Sequence, residues 1–328
     1  IELFERIFLM YIAANQVKKE KDSCTAKKTS IGGMALIEGI MMIGPIKYAV
    51  AVRKPDGEVE ILEKPLPEKN VWTKIPVVRG GYNLIRQMVL GIKSLMYSAD
   101  FVDLQEDEQE EPSKFEKFLE DKLGDKAKDV AIYFAVFLSL CLSIGLFILL
   151  PNLLTGFLGI KSNILNNLIE GVLRITIFFV YIVLATKLED IKRVWQYHGA
   201  EHKTINCYEA GQEITVENAR KMSKHNPRCG TSFMFIVMLV SILLFSLVGW
   251  HSRLLNLVVR IVLIPVVAGI SYELLKLAGK YDNMFTRALS APGMFMQRYT
   301  TREPDDSMLE VAIEAFNKVK TDGEEDKW

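Results

Sequence analysis

The hydrophobic positions of this chain fall into two kinds of run: long unbroken ones, and short ones set at helical or strand spacing. Val130 to Leu150, "VAIYFAVFLSLCLSIGLFILL", and Thr231 to Trp250, "TSFMFIVMLVSILLFSLVGW", carry no charge. Each matches the roughly 20 residues a helix needs to cross the hydrocarbon core of a bilayer. Leu168 to Thr186 and Leu254 to about Ala278 predict two further spans, the former with Glu170 and Arg174 one turn apart, the latter with Arg260 and Pro265. A charge inside a span marks a functional position by default, but these lie near helix ends, where long side chains snorkel to the interface, and that is the expectation for them.

The shorter runs predict the rest. "IELFERIFLMYIAANQ" at the start reads as an amphipathic helix rather than a cleaved signal, because Glu2, Glu5 and Arg6 interrupt the apolar stretch. In "YAVAVRKPDGEVEILEK" two strand-like runs flank Pro55-Asp56-Gly57, which predicts a β-hairpin, since proline presets a turn and glycine supplies positive φ. Just before it, the apolar stretch "GGMALIEGIMMIGP" holds the single charge Glu38, which must be paired, hydrated or protonated. From Gly80 to Ala99, the residues Leu84, Ile85, Met88, Val89, Ile92, Leu95 and Met96 share one helical face, as expected of an interfacial helix or one covering the hairpin. An acidic linker, Asp100 to Glu111, and a second amphipathic helix, "SKFEKFLEDKL", lead into the first span. In the tail, Pro304, Asp305 and Asp306 predict a helix start, followed by Leu309, Ala312, Ile313 and Phe316 at helical spacing.

The fold expected is therefore mainly α: a polytopic membrane protein with about four transmembrane helices plus a small cytoplasmic α+β region containing a β-hairpin. The segments follow as 1–29 (amphipathic helix and linker), 30–78 (hairpin region), 79–128 (amphipathic helices and acidic linker), 129–187 (spans one and two), 188–230 (a metal-site loop), 231–279 (spans three and four) and 280–328 (C-terminal tail).

Charge adds orientation. The totals balance at 40 basic and 40 acidic side chains, so nothing points to nucleic acid as a partner; the partners expected are the lipid bilayer and an unnamed substrate or protein. The basic residues are unevenly placed: Lys187, Lys192, Arg193, Lys203, Arg220, Lys221, Lys224 and Arg228 lie between spans two and three, against only Lys161 and Arg253 in the other two loops. Because Lys and Arg are retained inside, this predicts a bacterial inner-membrane protein with both termini and the 188–230 segment in the cytoplasm. Cys24, Cys141, Cys207 and Cys229 show no disulfide framework, consistent with a reducing compartment.

The chemistry-bearing letters concentrate in "WQYHGAEHKTINCYE" and "SKHNPRCGTSF". His198 and His202 are four apart, so on a helix both imidazoles project from one face and can share a metal ion, with Glu201 beside them to take a proton from activated water. Gly199 weakens the helix between them. Three of the four histidines and two of the four cysteines fall between residues 198 and 229, a donor set that suits zinc. The same letters have plainer uses. His198 bonded to a carbonyl, His202 on an exposed face and Cys229 packed as a small apolar residue would need no metal. Two histidines and two cysteines closing a tetrahedron would give a metal without a reaction.

"GGMALIEGIMMIGPIKYAVAVRKPDGE", "WQYHGAEHKTINCYEAG", "PRCGTSF" and "TTREPDD", in this order between hydrophobic spans, resemble the YqhQ-like family of bacterial membrane proteins. The resemblance runs from Gly32 to Phe316 and implies a membrane protein described as a predicted metal-dependent enzyme, with no substrate assigned. Where the family pattern reads His-Pro-Arg-Cys-Gly, this chain has Asn226 before Pro227 and His225 one position earlier, which ranks His225 below His198, His202 and Cys229 as a ligand. Cys207 and Glu209 compete for a fourth position.

The function expected is metal-assisted hydrolysis at the cytoplasmic membrane surface, with a divalent metal, zinc by its donors, and Glu201 as catalytic base. Arg228 or Arg302 would hold an anionic group, and Glu38 would lend support. The alternative is a non-enzymatic membrane scaffold or assembly factor with a closed structural metal site. A transporter would require Glu170, Arg174 and Arg260 to face an internal cavity.

Overall fold

The computed structural model describes residues 28–67, 71–101, 127–160, 162–248, 253–281 and 283–321. The N-terminal helix and its linker, Cys24, most of the acidic linker and the "SKFEKFLEDKL" helix fall outside these residues. The described chain divides into two compact units. The first is drawn from Ile1–Glu68, Lys192–Asn226 and Thr301–Trp328, the second from Lys69–Ile191 and Pro227–Thr300.

The first unit is built on a four-stranded antiparallel meander, β1 (Gly32–Leu36), β2 (Gly39–Ile43), β3 (Lys47–Arg53) and β4 (Val59–Pro65), paired in sequence order. The expected hairpin is β3–β4, where Gly57 adopts φ +89° and its N–H donates to the Lys54 carbonyl at 2.9 Å. A second hairpin, β1–β2, occupies the stretch read from sequence only as apolar. Gly39, Ile40, Met41 and Met42 are all buried, and a strand covered on both faces shows no alternation to betray it. At its turn Glu38 takes positive φ.

Ile40, Met42, Ala49 and Ala51 from the sheet join one apolar core with Met308, Leu309, Ala312 and Phe316 of the C-terminal helix Asp306–Val319. That helix begins as the tail sequence predicts. Asp305 is its N-cap, and its Oδ1 accepts hydrogen bonds from the Met308 N–H at 2.9 Å and the Ser307 hydroxyl at 2.6 Å. The helix Glu189–Glu209, designated α5 in the numbering below, packs Tyr197, Ala200, Ile205 and Cys207 into the same core.

In the second unit the helices are α1 (Val78–Phe101), α2 (Ala127–Ile144), α3 (Leu150–Phe157) and α4 (Asn163–Ala185), then, after α5 and the short α6 (Val216–Arg220), α7 (Gly230–Val248), α8 (Arg253–Lys280) and α9 (Met284–Thr300). The helix Asp306–Val319 of the first unit is α10. Among the described residues, four helical segments are long and apolar enough to cross a membrane: Tyr133–Phe157, Leu165–Ala185, Gly230–Leu247 and Leu255–Lys280. All four expected spans are thus met, with the first extending beyond Leu150 to Phe157.

That extension passes through Pro151 by way of a π-helical turn, Gly145–Leu149, that joins α2 to α3. Proline has no N–H to offer the carbonyl four residues back, which is that of Phe147. The Arg174 Nε of α4 takes that carbonyl at 2.9 Å. Its other nitrogens reach the Ser241 hydroxyl at 3.0 Å and Glu170 Oε1 at 2.7 Å. Arg260 of α8 meets the same carboxylate oxygen at 2.6 Å, and both guanidinium groups lie over the Phe245 ring. Snorkelling is therefore corrected: Glu170, Arg174 and Arg260 are 2 %, 8 % and 4 % exposed and turn into the bundle toward each other. Buried pairing satisfies at once what a lipid-facing path would have left to the interface.

The α1 expectation needs a different adjustment. The helix exists, but the residues it buries are small, Gly80, Gly91, Ser94 and Ser98, while Ile85, Met88, Val89 and Leu95 are exposed. Gly80 lies so close to Gly269 of α8 that an added Cβ would sit 2.7 Å from its Cα, and Arg79 pairs with Glu273. Small residues let two backbones approach where apolar side chains would hold them apart.

Two consequences can be measured by thermal unfolding of the full chain in detergent. Glu170→Gln leaves two buried guanidinium groups sharing no carboxylate and should cost about 3–5 kcal/mol. Asp305→Ala removes a cap and should cost about 1 kcal/mol. Burial opposes ionisation of Asp305, but the bonds from Ser307 and Met308 and the nearby Arg193 hold its carboxyl below the usual range. A depressed carboxyl pKa stabilises the fold above the unfolded-state value and loses that contribution as pH falls through the folded one, so Asp305→Asn should flatten the acid limb of the stability profile.

Candidate metal centre

Helix α5 is unusual in being buried continuously from Gly199 to Cys207 while carrying polar side chains on every side. Such a helix is stable only if each polar group is answered locally. The segment 220–225 answers Lys203, Asn206 and one nitrogen of His202. Lys203 Nζ donates to the carbonyls of Arg220 and Met222, both at 2.9 Å, and pairs with Glu303 at 3.0 Å, which accounts for all three of its protons. Asn206 Nδ2 donates to the carbonyls of Ser223 at 2.6 Å and His225 at 3.1 Å. Burial opposes ionisation of Glu303, but Lys203 and Lys224 hold its carboxyl below the usual carboxylate range.

His202 belongs to the same set. Its Nδ1 lies 2.6 Å from the Lys224 carbonyl oxygen, which can only accept, so Nδ1 carries the proton and Nε2 presents a lone pair. The residue is 1 % exposed, and Nε2 is buried without a hydrogen-bond partner among the described residues. A histidine whose one nitrogen is fixed by a carbonyl while the other points a lone pair into a site has the arrangement of a metal ligand. The His198 ring follows at 4.4 Å between centroids and 60° between planes, and a ring nitrogen of each lies within 4.8 Å of the other. Two imidazoles at that separation fit one cation.

Gly199 makes the helix usable here. A Cβ at this position would come 2.0 Å from the Arg302 carbonyl oxygen, so the segment Thr301–Asp305 crosses α5 where there is no side chain. The Arg302 N–H donates to the Trp195 carbonyl at 2.9 Å. The glycine read from sequence as a weakness of the helix is the condition for that crossing.

The remaining predicted site residues divide. Glu201 is 6 % exposed and its Oε1 accepts the Gly33 N–H at 3.0 Å, which ties β1 to α5. Glu38 accepts two bonds from Arg193, that to Oε2 at 2.6 Å, and a longer one from the Tyr197 hydroxyl at 3.3 Å, so this lone charge is paired. Glu209 accepts the Thr29 N–H at 2.8 Å, three residues ahead of β1. Cys207 is not brought to the histidines: five residues past His202 it stands about 140° round the helix. Its thiol lies in the apolar core and donates to the Glu213 carbonyl at 3.4 Å, and burial pushes it up in pKa despite a backbone hydrogen bond from Thr215. The Asn226 side of the loop is buried, and His225 offers its carbonyl to Asn206. Arg228 and Cys229 belong to a turn that precedes α7 in the second unit.

Lys203, Asn206 and Trp195 were not singled out from sequence. The signal was present in "AEHKTIN": a buried helix with no apolar stripe must hold its polar groups in place. Yet nothing local distinguishes that from a solvated helix. Only the partner segment, residues 220–225, decides it.

Comparison with known proteins bears on the same stretch. The family model for "Protein of unknown function (DUF1385)" matches residues 75–322. The chain is 36 % identical over 292 residues to the uncharacterized protein YqhQ of Bacillus subtilis (strain 168), covering 88 % of this chain and 91 % of that one. No solved structure matches it. Matched over most of its length both to the family model and to this relative, the chain belongs to the DUF1385, or YqhQ-like, family of proteins of unknown function.

Proposed function

We propose that this chain binds a divalent metal, zinc by its donors, through His198, His202 and Cys229, and uses it in hydrolysis at the cytoplasmic surface of a bacterial inner membrane. The observation that carries this is His202, buried with its Nδ1 proton on the Lys224 carbonyl and its Nε2 lone pair unpartnered. Two imidazoles and a thiolate, by their chemistry alone, form a donor set that zinc accepts. Chain connectivity supports Cys229 as the third donor: Lys224 is fixed against His202, and five residues of chain reach at most roughly 17 Å, shortened by the turn at Pro227.

Three donors leave one position open, as catalytic zinc sites do. Zinc at such a site lowers the pKa of a water and polarises a substrate oxygen. Glu201, next to His202 and oriented by the Gly33 N–H on Oε1, would serve as the proton acceptor there. Arg302 or Arg228 supplies positive charge for an anionic substrate group, while Glu38 and Glu209 tie the stretch 29–38 to α5. The positive charges of residues 187–228, against the sparse ones in the opposite loops, set this face and both termini on the cytoplasmic side.

A second reading, a membrane scaffold with a closed metal site, draws on the Glu201–Gly33 bond, which gives that carboxylate a structural use. Coordination separates the two. X-ray absorption on the purified, zinc-loaded full chain should show two nitrogens, one sulfur and one light-atom oxygen; four protein donors would establish the scaffold instead. About one zinc per chain is expected, lost in His202→Ala and retained in Glu201→Gln. Against a panel of ester, amide and phosphoester substrates, Glu201→Gln should fall by about 10²–10⁴-fold. Equal metal content in wild type and His202→Ala would end the proposal.

A further inference from the structure

Trp195 stands three residues before His198 and seven before His202, so the indole and both imidazoles line one face of α5, with ring centroids 6.1 Å and then 4.4 Å apart. Along this face two polar side-chain atoms are buried without a partner among the described residues: Trp195 Nε1 and His202 Nε2. Elsewhere on the helix Lys203 and Asn206 are bonded to named carbonyls; the Thr204 hydroxyl, also without a partner among the described residues, is two residues on from His202 and so on another face.

Their chemistries are opposite. The indole nitrogen can only donate, and Nε2, with the proton fixed on Nδ1, can only accept or ligate. An oxygen must meet the first and a cation or donor the second. Leaving both unanswered in a buried site is costly, and one arrangement answers both: a cation on the imidazoles that itself carries an anionic oxygen.

We propose that the Trp195 indole N–H donates to an oxyanion, of the phosphate type, bound to the metal held at His198 and His202; this rests on the metal reading above. Trp195 is in this sense a ligand-binding residue that sets which anions the metal accepts. The oxyanion can be free or carried on a lipid headgroup. Its charge strengthens the indole bond beyond that to a neutral acceptor. A water bridging the two orphan atoms is the rival explanation, and it predicts no preference for anions.

The test uses the full chain in detergent loaded with Co²⁺, whose visible spectrum reports its ligands. In the wild type, inorganic phosphate should change the spectrum in a saturable way. Trp195→Phe keeps the ring and removes the donor, so its spectrum without phosphate should match the wild type while its affinity for phosphate falls about tenfold. A parallel arm in nanodiscs compares phosphatidate with phosphatidylcholine: a response to phosphatidate exceeding that to free phosphate assigns the oxyanion to a lipid headgroup, and the reverse assigns it to a free anion. Should Trp195→Phe fail to fold, the cobalt-shifted indole ¹⁵N–¹H resonance of the wild type should move on adding phosphate. Equal phosphate affinity in Trp195→Phe, an unmoved indole resonance, or a cobalt spectrum indifferent to both phosphate and phosphatidate overturns the inference and leaves the metal site standing. Absence of any cobalt spectrum removes the metal site itself.

Discussion

A helix buried along its length yet polar on every side persists only if another piece of chain meets its polar groups where they stand. In this protein that piece is residues 220–225, whose successive carbonyls receive Lys203, Asn206 and His202. These are backbone acceptors, and each would cost free energy if buried alone. The strap and the helix are therefore mutually necessary. The orientation of His202, and with it any metal chemistry, follows from a bond made for the sake of burial.

The same economy governs the C-terminal segment. Thr301–Asp305 crosses α5 over Gly199, places Glu303 between Lys203 and Lys224, and ends in the cap of the helix that closes the sheet core. Helix α5 thus meets three separate stretches of sequence: β1 through Glu201, the strap through its buried polar residues, and the tail through its one missing side chain. A face assembled from distant stretches is fixed by the whole unit rather than by local propensity. That is the condition for holding two imidazole rings in one relation.

What could be read from the letters alone follows the same physics. The spans were legible because lipid imposes an unbroken apolar length, and the β3–β4 hairpin because Pro55-Asp56-Gly57 states its turn outright. The β1–β2 hairpin was not, since β2 is buried on both faces and shows no period. The outward stripe of α1 was legible as a stripe but not as to its direction: in a soluble protein Ile85, Met88 and Val89 would face inward, and here the small residues do. The nearness of the His198 and His202 rings was legible from their spacing of four, whereas Cys207, expected as a competing ligand, is turned by its spacing of five into the core. Lys203, Asn206 and Trp195 required the partner chain segment to be seen.

Pro151 carries a consequence for how the membrane unit comes together. By withholding an N–H it leaves the Phe147 carbonyl of the first span to be claimed by Arg174 of the second, whose carboxylate partner sits one turn away on the same helix. Neither span is at rest in lipid by itself, the first with a stranded oxygen and the second with a cation short of acceptors. The two are made for entry as a pair, joined by the short connection between Phe157 and Asn163, so that biogenesis and final packing call on the same contact.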